Sequence, residues 1–287
     1  MEKGIILKGI GGFYYVKTRL GIIECRARGK FRKDSLKPLC GDIVDIELTD
    51  EKTGTVCNIY DRKNSFVRPP VANIDLLVIV MAVKNPEPDF LFVDKMTVIG
   101  KYNNTDVVIC FNKCDLNGDT DYISEIYKNT GFKLFFTSAK NNAGTDDLKK
   151  EFADKTTAFA GGSGVGKSSL LNLLADMNFE TGDVSKKLKR GRHTTRCVEF
   201  FEYGENSYLA DTPGFSMLDL PKIKASELEN YFPEFEPYLN LCRFNGCSHV
   251  AECGCGIKEA VENGKISKSR YEGYKTFYER LNAVKEW

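Results

Sequence analysis

The chain has 287 residues, and its 41 Lys and Arg nearly balance its 40 Asp and Glu, giving a formal net charge of +1 at pH 7. This balance excludes a protein that holds nucleic acid by its overall charge, so any nucleic-acid surface must be local. Hydrophobic residues make up 42% of the chain, and no apolar run approaches the roughly 18 residues of a membrane span, so we expect no membrane partner.

The N-terminal residues 1–61 have the pattern of short strands separated by glycines. Apolar runs or apolar–polar alternation occur near residues 5–7, 13–16, 22–27, 44–48 and 55–59. About five short strands in so short a segment predict a small barrel of the OB type. The paired prolines Pro69 and Pro70 should stop regular strand pairing, so we expect an OB-like β-barrel domain over residues 1–68.

The pattern changes near residue 74. The continuous apolar run at 74–83 is typical of a strand buried on both faces of a parallel sheet. Further strands are expected at 106–111, 133–137, 156–160, 197–203 and 206–210, with helices at 89–102, 121–130, 145–153 and 167–175. This alternation of strands and helices predicts an α/β domain, to which we assign residues 69–222.

Beyond Pro221 the apolar spacing becomes helical, and we expect a mainly helical domain over residues 223–287. One apolar stripe in its last helix should face a core. The stripe comprises Tyr271, Tyr274, Phe277, Tyr278, Leu281 and Val284. The predicted fold class is therefore multidomain, with a barrel, a central α/β P-loop domain and a helical C-terminal domain.

Residues 161–168 match the phosphate-binding pattern G-x-x-x-x-G-K-[ST], directly after a predicted strand and before a predicted helix. In such a loop the glycines let backbone N–H groups turn toward the phosphates. Lys167 would reach the β- and γ-oxygens, and Ser168 would offer its hydroxyl to Mg²⁺. The predicted phosphate-binding residues are Gly161, Gly162, Ser163, Gly164, Val165, Gly166, Lys167, Ser168 and Ser169.

Two short motifs follow successive predicted strands and select the base. In N-K-C-D at 112–115, the Asp115 carboxylate can accept from the N1–H and the exocyclic amino group of guanine, a donor pair that adenine lacks. S-A-K at 138–140 supplies a backbone amide for the guanine oxygen and a lysine stem over the ring. Since parallel strands present their carboxyl ends at one edge, we expect a GTP or GDP site there. The predicted guanine-binding residues are Asn112, Lys113, Asp115, Ser138, Ala139 and Lys140.

A magnesium ion is expected beside the phosphates. Asp211 of D-T-P-G follows a predicted strand and can hold Mg²⁺ directly or through water, together with Ser168. G-R-H-T-T at 191–195 lies where a switch loop supplies a threonine to the same ion. Thr194 and Thr195 both fit this role, and Thr195 is preferred.

The order of the motifs is unusual. Most GTPases begin with the P-loop, whereas here N-K-C-D and S-A-K precede it, so we expect a circularly permuted GTPase domain. D-T-P-G then leads straight into the C-terminal segment, which could carry a signal from the γ-phosphate. The next residue, where Ras-like enzymes have a water-orienting Gln, is Phe215, which cannot orient water. His193 is the candidate catalytic residue, and a surface or RNA-contacting histidine is the alternative interpretation.

Six of the ten cysteines are scattered, and the other four lie between Cys242 and Cys255. Cys242, Cys247, His249 and Cys255 have the composition of a structural Cys₃His zinc site, with Cys253 as a rival fourth ligand. Free thiols together with one metal cluster fit a reducing cytoplasm better than a disulfide scaffold.

Two local basic patches stand out against the balanced total charge. One falls on a predicted hairpin of the barrel and the other in the first switch loop. They contain Arg26, Arg28, Lys30, Arg32 and Lys33, and Lys186, Lys187, Lys189, Arg190 and Arg192. Most charge runs are solvated faces, but on an OB-like barrel beside a nucleotide switch they favour RNA contact.

The barrel, the motif order and the Cys-Cys-His-Cys cluster together resemble the ribosome small-subunit-dependent GTPase A (RsgA/YjeQ) family over essentially the whole chain. The resemblance implies a cytoplasmic bacterial GTPase that assists late maturation of the small ribosomal subunit. It also implies binding to that subunit near its decoding region, stimulation by it, and one structural zinc. Cys255 is favoured as the fourth ligand and His193 is suggested as catalytic. We expect rRNA contact and a monomer.

Two other functions remain as alternatives. A GTP-gated binding module with negligible turnover would dock on another RNA or protein, and Phe215 fits it equally, because the missing Gln predicts slow intrinsic hydrolysis. A P-loop metabolite kinase is disfavoured by N-K-C-D and S-A-K. A turnover assay with and without small subunits separates the first alternative from the enzyme.

Overall fold

The computed structural model describes residues 1–29, 31, 36–176, 198–211 and 215–283. Five strands form the N-terminal barrel: β1 (Glu2–Ile10), β2 (Phe13–Thr18), β3 (Gly21–Ala27), β4 (Ile43–Leu48) and β5 (Thr53–Ile59). The antiparallel pairing of β1 with β4 closes the barrel. Alternate side chains point inward and form a core of their own, with Ile6, Val16, Val44, Ile46 and Val56 all fully buried. The predicted OB-like barrel of five strands is therefore confirmed.

Two of the basic residues expected on one hairpin of the barrel, Arg26 and Arg28, are among the described residues. β3 pairs antiparallel with β2 and parallel with β5. Arg26 lies on β3 with its guanidinium 4.6 Å from the centre of the Phe13 ring, and Arg28 pairs with Glu47. The remaining predicted members of that patch, Lys30, Arg32 and Lys33, lie outside the described residues, as does the whole basic run at 186–192.

The paired prolines lie in the turn of a small hairpin after the barrel. Its two strands are β6 (Ser65–Phe66) and β7 (Val71–Ala72), which pair antiparallel. The Arg68–Pro69 peptide bond is cis. Since proline has no backbone N–H, it is accommodated in a turn rather than within a strand.

The central sheet follows in the order β10-β9-β8-β11-β13-β12. Its strands are β8 (Leu76–Ala82), β9 (Asp106–Asn112), β10 (Lys133–Phe136), β11 (Thr156–Ala160), β12 (Glu199–Glu202) and β13 (Tyr208–Asp211). The helices of this part are α1 (Phe90–Tyr102), α2 (Thr120–Tyr127), α3 (Thr145–Lys150) and α4 (Lys167–Asp176). Every residue of β8 is buried, as its continuous apolar pattern predicts. Among the described strands of the central sheet, β12 alone runs antiparallel to its neighbour. The predicted α/β domain is confirmed.

The barrel and the central sheet are joined through β12. Lys8 of β1 pairs in register with Glu199 of β12, and their charged groups lie 2.8 Å apart. Lys17 of β2 forms a second ion pair, at 2.7 Å, with Glu202. All the strands except β6 and β7 thereby belong to one 11-stranded sheet within the described part of the chain. Because these pairs are partly exposed, they contribute more to orientation than to stability.

The C-terminal part is helical and contains the third apolar core. It begins with two 3₁₀-helices, Ala225–Tyr231 and Pro233–Leu241, and continues with α5 (Gly256–Glu262) and α6 (Lys268–Ala283). Prolines at the start and in the middle of the second 3₁₀-helix disfavour regular α-helix there. Tyr271, Tyr274 and Phe277 of the predicted stripe are buried in the core, whereas Val284 lies outside the described residues.

No helix within the described ranges is both long and apolar enough to cross a membrane.

A buried charged cluster connects the helical part to the central domain. Arg270 of α6 is fully buried and lies 2.7 Å from both Asp94 of α1 and Glu234 of the second 3₁₀-helix. Tyr127 of α2 donates to Asp94 at 3.2 Å. Burial raises the pKa of Asp94 to about 6, although Arg270 opposes the shift. Two carboxylates share one guanidinium, so protonation of Asp94 relieves a net negative charge in the cluster.

The Asp94→Asn variant tests this shift through the pH dependence of stability. A carboxyl whose pKa is higher in the folded than in the unfolded chain stabilises the fold below its unfolded value, and this contribution is lost as pH rises through the folded value. The stability of the native chain relative to Asp94→Asn should therefore fall between about pH 4 and pH 6, on the order of 1–3 kcal/mol, and then level off.

Urea unfolding of both proteins across this pH range measures the difference. The exposed Asp121→Asn change on α2 is the control and should give a much flatter difference. A difference between the native chain and Asp94→Asn that does not vary with pH would contradict the shift.

Candidate nucleotide site and metal centre

The predicted nucleotide motifs meet at one edge of the central sheet. β9 ends at Asn112, β10 is followed by Ser138, and β11 runs into the P-loop before α4. These strands are parallel to β8 or to one another, so their carboxyl ends lie on the same side. The structure therefore brings together N-K-C-D, S-A-K and the P-loop, although the P-loop follows the other two in the chain.

Asn112 ties these three loops to one another. Its side chain is buried, and its Oδ1 accepts from the backbone N–H of Ala139 at 3.0 Å and from the Thr137 hydroxyl at 3.2 Å. Its Nδ2 donates to the carbonyl of Val165 in the P-loop at 3.1 Å. Both lone pairs of the oxygen and one amide hydrogen are thus used within the protein. Asn112 consequently acts as a brace of the site.

The contact between Asn112 and the P-loop requires a glycine at position 166. Its φ of +88° lies in the left-handed region, which favours glycine. A Cβ at this position would also overlap Nδ2 of Asn112. The last glycine of the P-loop therefore permits both the turn into α4 and the close approach of N-K-C-D.

Asp115 is held ready to accept hydrogen bonds. Its Oδ1 accepts from the Ser138 hydroxyl at 2.6 Å, and Oδ2 lies 4.0 Å from Nζ of Lys140. The hydrogen bond from Ser138 lowers the pKa of the Asp115 carboxyl below its ordinary value. An ionised carboxylate with one oxygen fixed by a hydroxyl can accept a pair of N–H donors from a base edge. Lys140 is mostly exposed.

The side chain of Lys113, in N-K-C-D, lies beside the P-loop. Its φ of +66° is left-handed, and its Nζ donates to the carbonyl of Asn85 in the loop before α1. Its Cε lies 3.8 Å from the position that a Cβ of Gly166 would take. The lysine stem therefore runs along the P-loop, where it could cover one face of a bound base.

The P-loop combines buried residues, which fix its position, with exposed residues that a ligand could contact. Val165 is buried and holds the loop against the core. Ser163, Gly164, Ser168 and Ser169 are exposed, so their backbone or hydroxyl groups are accessible to a phosphate or a cation. α4 begins at Lys167, and the N-terminus of a helix favours anions.

Several predicted site residues lie outside the described residues. These are His193, Thr194, Thr195 and residues 212–214 of D-T-P-G. Asp211 ends β13, next to the P-loop strand, as predicted from its position. Phe215 is buried, with its ring centre 5.1 Å from that of Phe66 in the hairpin after the barrel. Its contacts are thus hydrophobic, which agrees with the expectation that it does not orient water.

The predicted metal ligands form a compact cluster in the C-terminal part. The ligand atoms of Cys242, Cys247, His249 and Cys255 all lie within 4.8 Å of one another. Nδ1 of His249 is 3.5 Å from Sγ of Cys242 and 3.4 Å from Sγ of Cys255. A tetrahedral zinc with bonds of about 2.3 Å separates its ligand atoms by about 3.8 Å, so the set fits this ion. Cys253 is exposed and is not part of the cluster.

Glu229 completes the surroundings of this cluster and was missed by sequence reasoning. Its Oε2 lies 2.6 Å from Nε2 of His249, which leaves Nδ1 facing the three thiols. A carboxylate in this position fixes the tautomer and the ring orientation of a metal-binding histidine. Glu229 precedes His249 by 20 residues and lies on the first 3₁₀-helix, whereas His249 lies in the loop before α5. No spacing pattern in the sequence could therefore reveal it.

Comparison with known proteins covers nearly the whole chain. Residues 59–221 match the RsgA GTPase family, and residues 3–56 match the RsgA N-terminal domain. The chain is 48% identical to the small ribosomal subunit biogenesis GTPase RsgA of Caldanaerobacter subterraneus subsp. tengcongensis, covering 99% of this chain and 96% of that protein. It is 44% identical to the protein of the same name from Ruminiclostridium cellulolyticum, with coverage of 100% and 96%.

Two solved structures share the fold. The crystal structure of YjeQ from Thermotoga maritima superimposes with a TM-score of 0.84 at 35% identity, covering 99% of both chains. That of YloQ, described as a circularly permuted GTPase, gives 0.82 at 34% identity, covering 99% of this chain and 96% of that one. The predicted fold class, including the permuted order of the GTPase motifs, is thereby confirmed.

The Glu229→Gln variant tests the metal centre. The amide retains the shape of the side chain but removes the charge that polarises His249, so zinc affinity should fall about tenfold or more. Competition with a chromophoric chelator measures the affinity, and thermal unfolding should show a lower midpoint in limiting zinc. The exposed Glu236→Gln change on the neighbouring 3₁₀-helix is the matched control. Equal zinc affinities in the two variants would contradict the role of Glu229.

Proposed function

The chain belongs to the RsgA GTPase family, whose members are GTP hydrolases, and from this premise we propose that it hydrolyses GTP on the small ribosomal subunit. Its role there is to assist the late maturation of the subunit, which in turn stimulates hydrolysis. The main observation in support of GTP binding is that the Asn112 side chain holds the base-reading loops and the P-loop together in one site. The names of the relatives support the choice of the subunit.

Guanine selectivity is assigned to Asp115, with Lys113 and Lys140 flanking the base and the backbone of Ala139 meeting its oxygen. The fixed, ionised carboxylate of Asp115 supports this assignment, because adenine offers no donor pair to it. Ser138 positions Asp115, and Asn112 braces the three loops. The phosphates are assigned to the P-loop residues 161–169.

Magnesium would bind with the nucleotide. Ser168 at the start of α4, Asp211 at the end of β13 and either Thr194 or Thr195 are its proposed ligands. The ion would neutralise charge on the β- and γ-phosphates. The exposed Ser168 and the position of β13 beside β11 support this set.

Zinc is assigned to Cys242, Cys247, His249 and Cys255 as a structural ion. Four nitrogen and sulfur ligands close its coordination sphere, which leaves no position for a substrate. The ion would stabilise the loop between the second 3₁₀-helix and α5, because its ligands lie on that loop and at the ends of those helices.

Contact with rRNA is assigned to the barrel and to the basic first switch loop. The exposed Arg26 stacked on Phe13 supports the barrel as one such surface, since aromatic rings and guanidinium planes stack on bases. Because ribosomal subunits mature in the bacterial cytoplasm, we place the protein there, acting as a monomer. Its proposed domains are residues 1–68, 69–222 and 223–287.

Turnover with and without small subunits tests the function. GTP hydrolysis should be slow in the free protein and should rise with added small subunits, whereas large subunits should have no effect. Co-sedimentation should show tighter subunit binding with a non-hydrolysable GTP analogue than with GDP. Nucleotide-dependent binding without stimulated turnover would instead favour a GTP-gated binding module.

The Asp115→Asn variant tests base recognition. Replacing an acceptor oxygen by an amide should weaken GTP binding by about tenfold or more, because the amide opposes the donors of guanine. Xanthosine nucleotides, which present an oxygen in place of the exocyclic amino group, should gain affinity. Competition binding measures both nucleotides, with the exposed Asp147→Asn change on α3 as the control. Unchanged GTP affinity would refute the assignment.

The His193→Ala variant tests the candidate catalytic residue. A neutral imidazole can orient a water or accept its proton, so its loss should lower subunit-stimulated turnover about a hundredfold. GTP binding and subunit binding should be retained. If stimulated turnover survives while subunit affinity falls, His193 is a contact residue and the catalytic group lies elsewhere.

A further inference from the structure

The charged cluster around Arg270 joins three helices from two parts of the molecule. Besides its contacts with Asp94 and Glu234, Arg270 donates to the Thr97 hydroxyl at 3.2 Å and stacks on the Phe232 ring at 4.6 Å. Arg270 is in α6, Asp94 and Thr97 are in α1, and Glu234 lies in the first turn of the second 3₁₀-helix. A planar guanidinium with five donors in a fixed fork determines the relative angles of the elements it binds.

The composition of this cluster is poorly suited to stability alone. Oδ2 of Asp94 is buried without a hydrogen-bond partner, and two carboxylates compete for one cation. Replacing buried ion pairs by apolar residues of similar size is often neutral or stabilising. An apolar contact between α1 and α6 would therefore hold these helices together equally well, but it would define their orientation less sharply.

Close packing also restricts the orientation of α6 relative to α1. Gly273 of α6 faces Asp94, and a Cβ on Gly273 would lie 2.5 Å from Oδ2 of Asp94. Any larger side chain would force α6 away from α1. The charges and the glycine thus impose one angle between the C-terminal helices and the central domain.

Helix α1 connects this contact to the nucleotide edge. Asp89 caps its N-terminus by accepting from the N–H of Phe92 at 2.9 Å. The preceding loop contacts N-K-C-D through the hydrogen bond from Lys113 to Asn85. Cδ of Pro86 lies 3.8 Å from the position that a Cβ of Gly164 would take in the P-loop. A displacement of α1 would therefore reach both the base-reading loop and the P-loop.

The barrel is attached to the β12 edge of the central sheet. If the barrel and the C-terminal helices both bind one large partner, they can transmit strain to the nucleotide site only when each is held at a fixed angle to the central domain. The ion pairs of β12 provide one such attachment and the Arg270 cluster the other.

We propose that Arg270, Asp94 and Gly273 are positioning residues that couple docking of the C-terminal helices to the nucleotide site. In this scheme the cluster keeps the zinc-bearing helices at the angle from which subunit binding can act on α1. The inference rests on the proposed function, because it concerns the stimulation of hydrolysis by the subunit. Intrinsic GTP binding and turnover do not require the cluster.

Two variants break the arrangement by independent means. Arg270→Met combined with Asp94→Asn and Glu234→Gln removes the charges, and Gly273→Ala forces the helices apart without removing a charge. Each should keep GTP affinity and intrinsic turnover within about twofold of the native protein. Each should lower the maximal subunit-stimulated turnover about tenfold, while the subunit concentration that gives half-maximal stimulation remains unchanged. Arg280→Met, at an exposed arginine of α6, is the matched control and should leave all values unchanged.

Thermal unfolding of every variant separates positioning from stability. Assays at a temperature where all variants are folded should still show the loss of stimulation. Stimulated turnover that is native in both folded variants would overturn the proposal, and so would a loss that disappears at lower temperature. If the native protein itself is not stimulated by small subunits, the proposed function fails, and this outcome is distinct from the other two.

Discussion

The site at the sheet edge depends on the amide side chain of Asn112. One buried group accepts from the S-A-K loop and donates to the P-loop, so three segments from different parts of the chain are held at hydrogen-bonding distance. A buried amide left without these partners would cost free energy, which makes the arrangement specific as well as favourable. Asp115, Lys113 and the exposed P-loop residues obtain their relative positions from this brace.

The rest of the molecule is attached to this edge by apolar packing together with directional polar contacts. Ile5 and Leu7 of β1 belong to the central apolar core, and Val98 of α1 belongs to the C-terminal one. The barrel pairs with β12 through two partly exposed ion pairs, and the C-terminal helices meet α1 through the buried Arg270. The interior of the barrel has an apolar core of its own. Polar contacts define direction better than apolar ones, because hydrogen bonds weaken steeply when they are misaligned. Such attachments suit a protein in which neighbouring parts act on a central nucleotide site.

The sequence was sufficient for the elements whose signal is local. The apolar run that became β8, the five strands of the barrel and the strand–helix alternation all follow from side-chain periodicity, which the structure preserves. The helical region expected after Pro221 begins with two 3₁₀-helices, and prolines at the start and in the middle of the second one disfavour regular α-helix there. The parallel pairing of β3 with β5 is known only from the structure. Strand partners are not encoded in local periodicity.

In the candidate site, too, some features were predictable from the sequence and others only from the structure. Spacing and residue type alone predicted the P-loop, N-K-C-D and S-A-K, because each carries its chemistry within a few neighbouring residues. The same signals indicated a metal cluster at 242–255 but left Cys253 and Cys255 as rivals for its fourth ligand. Only the tertiary structure decided that Asn112 is a brace, that Cys253 lies outside the cluster, and that Glu229 contacts His249. It also brought Arg270 to Asp94 across 176 residues. Such long-range pairs arise when whole elements pack together, and a short motif holds no information about which distant side chain will face it.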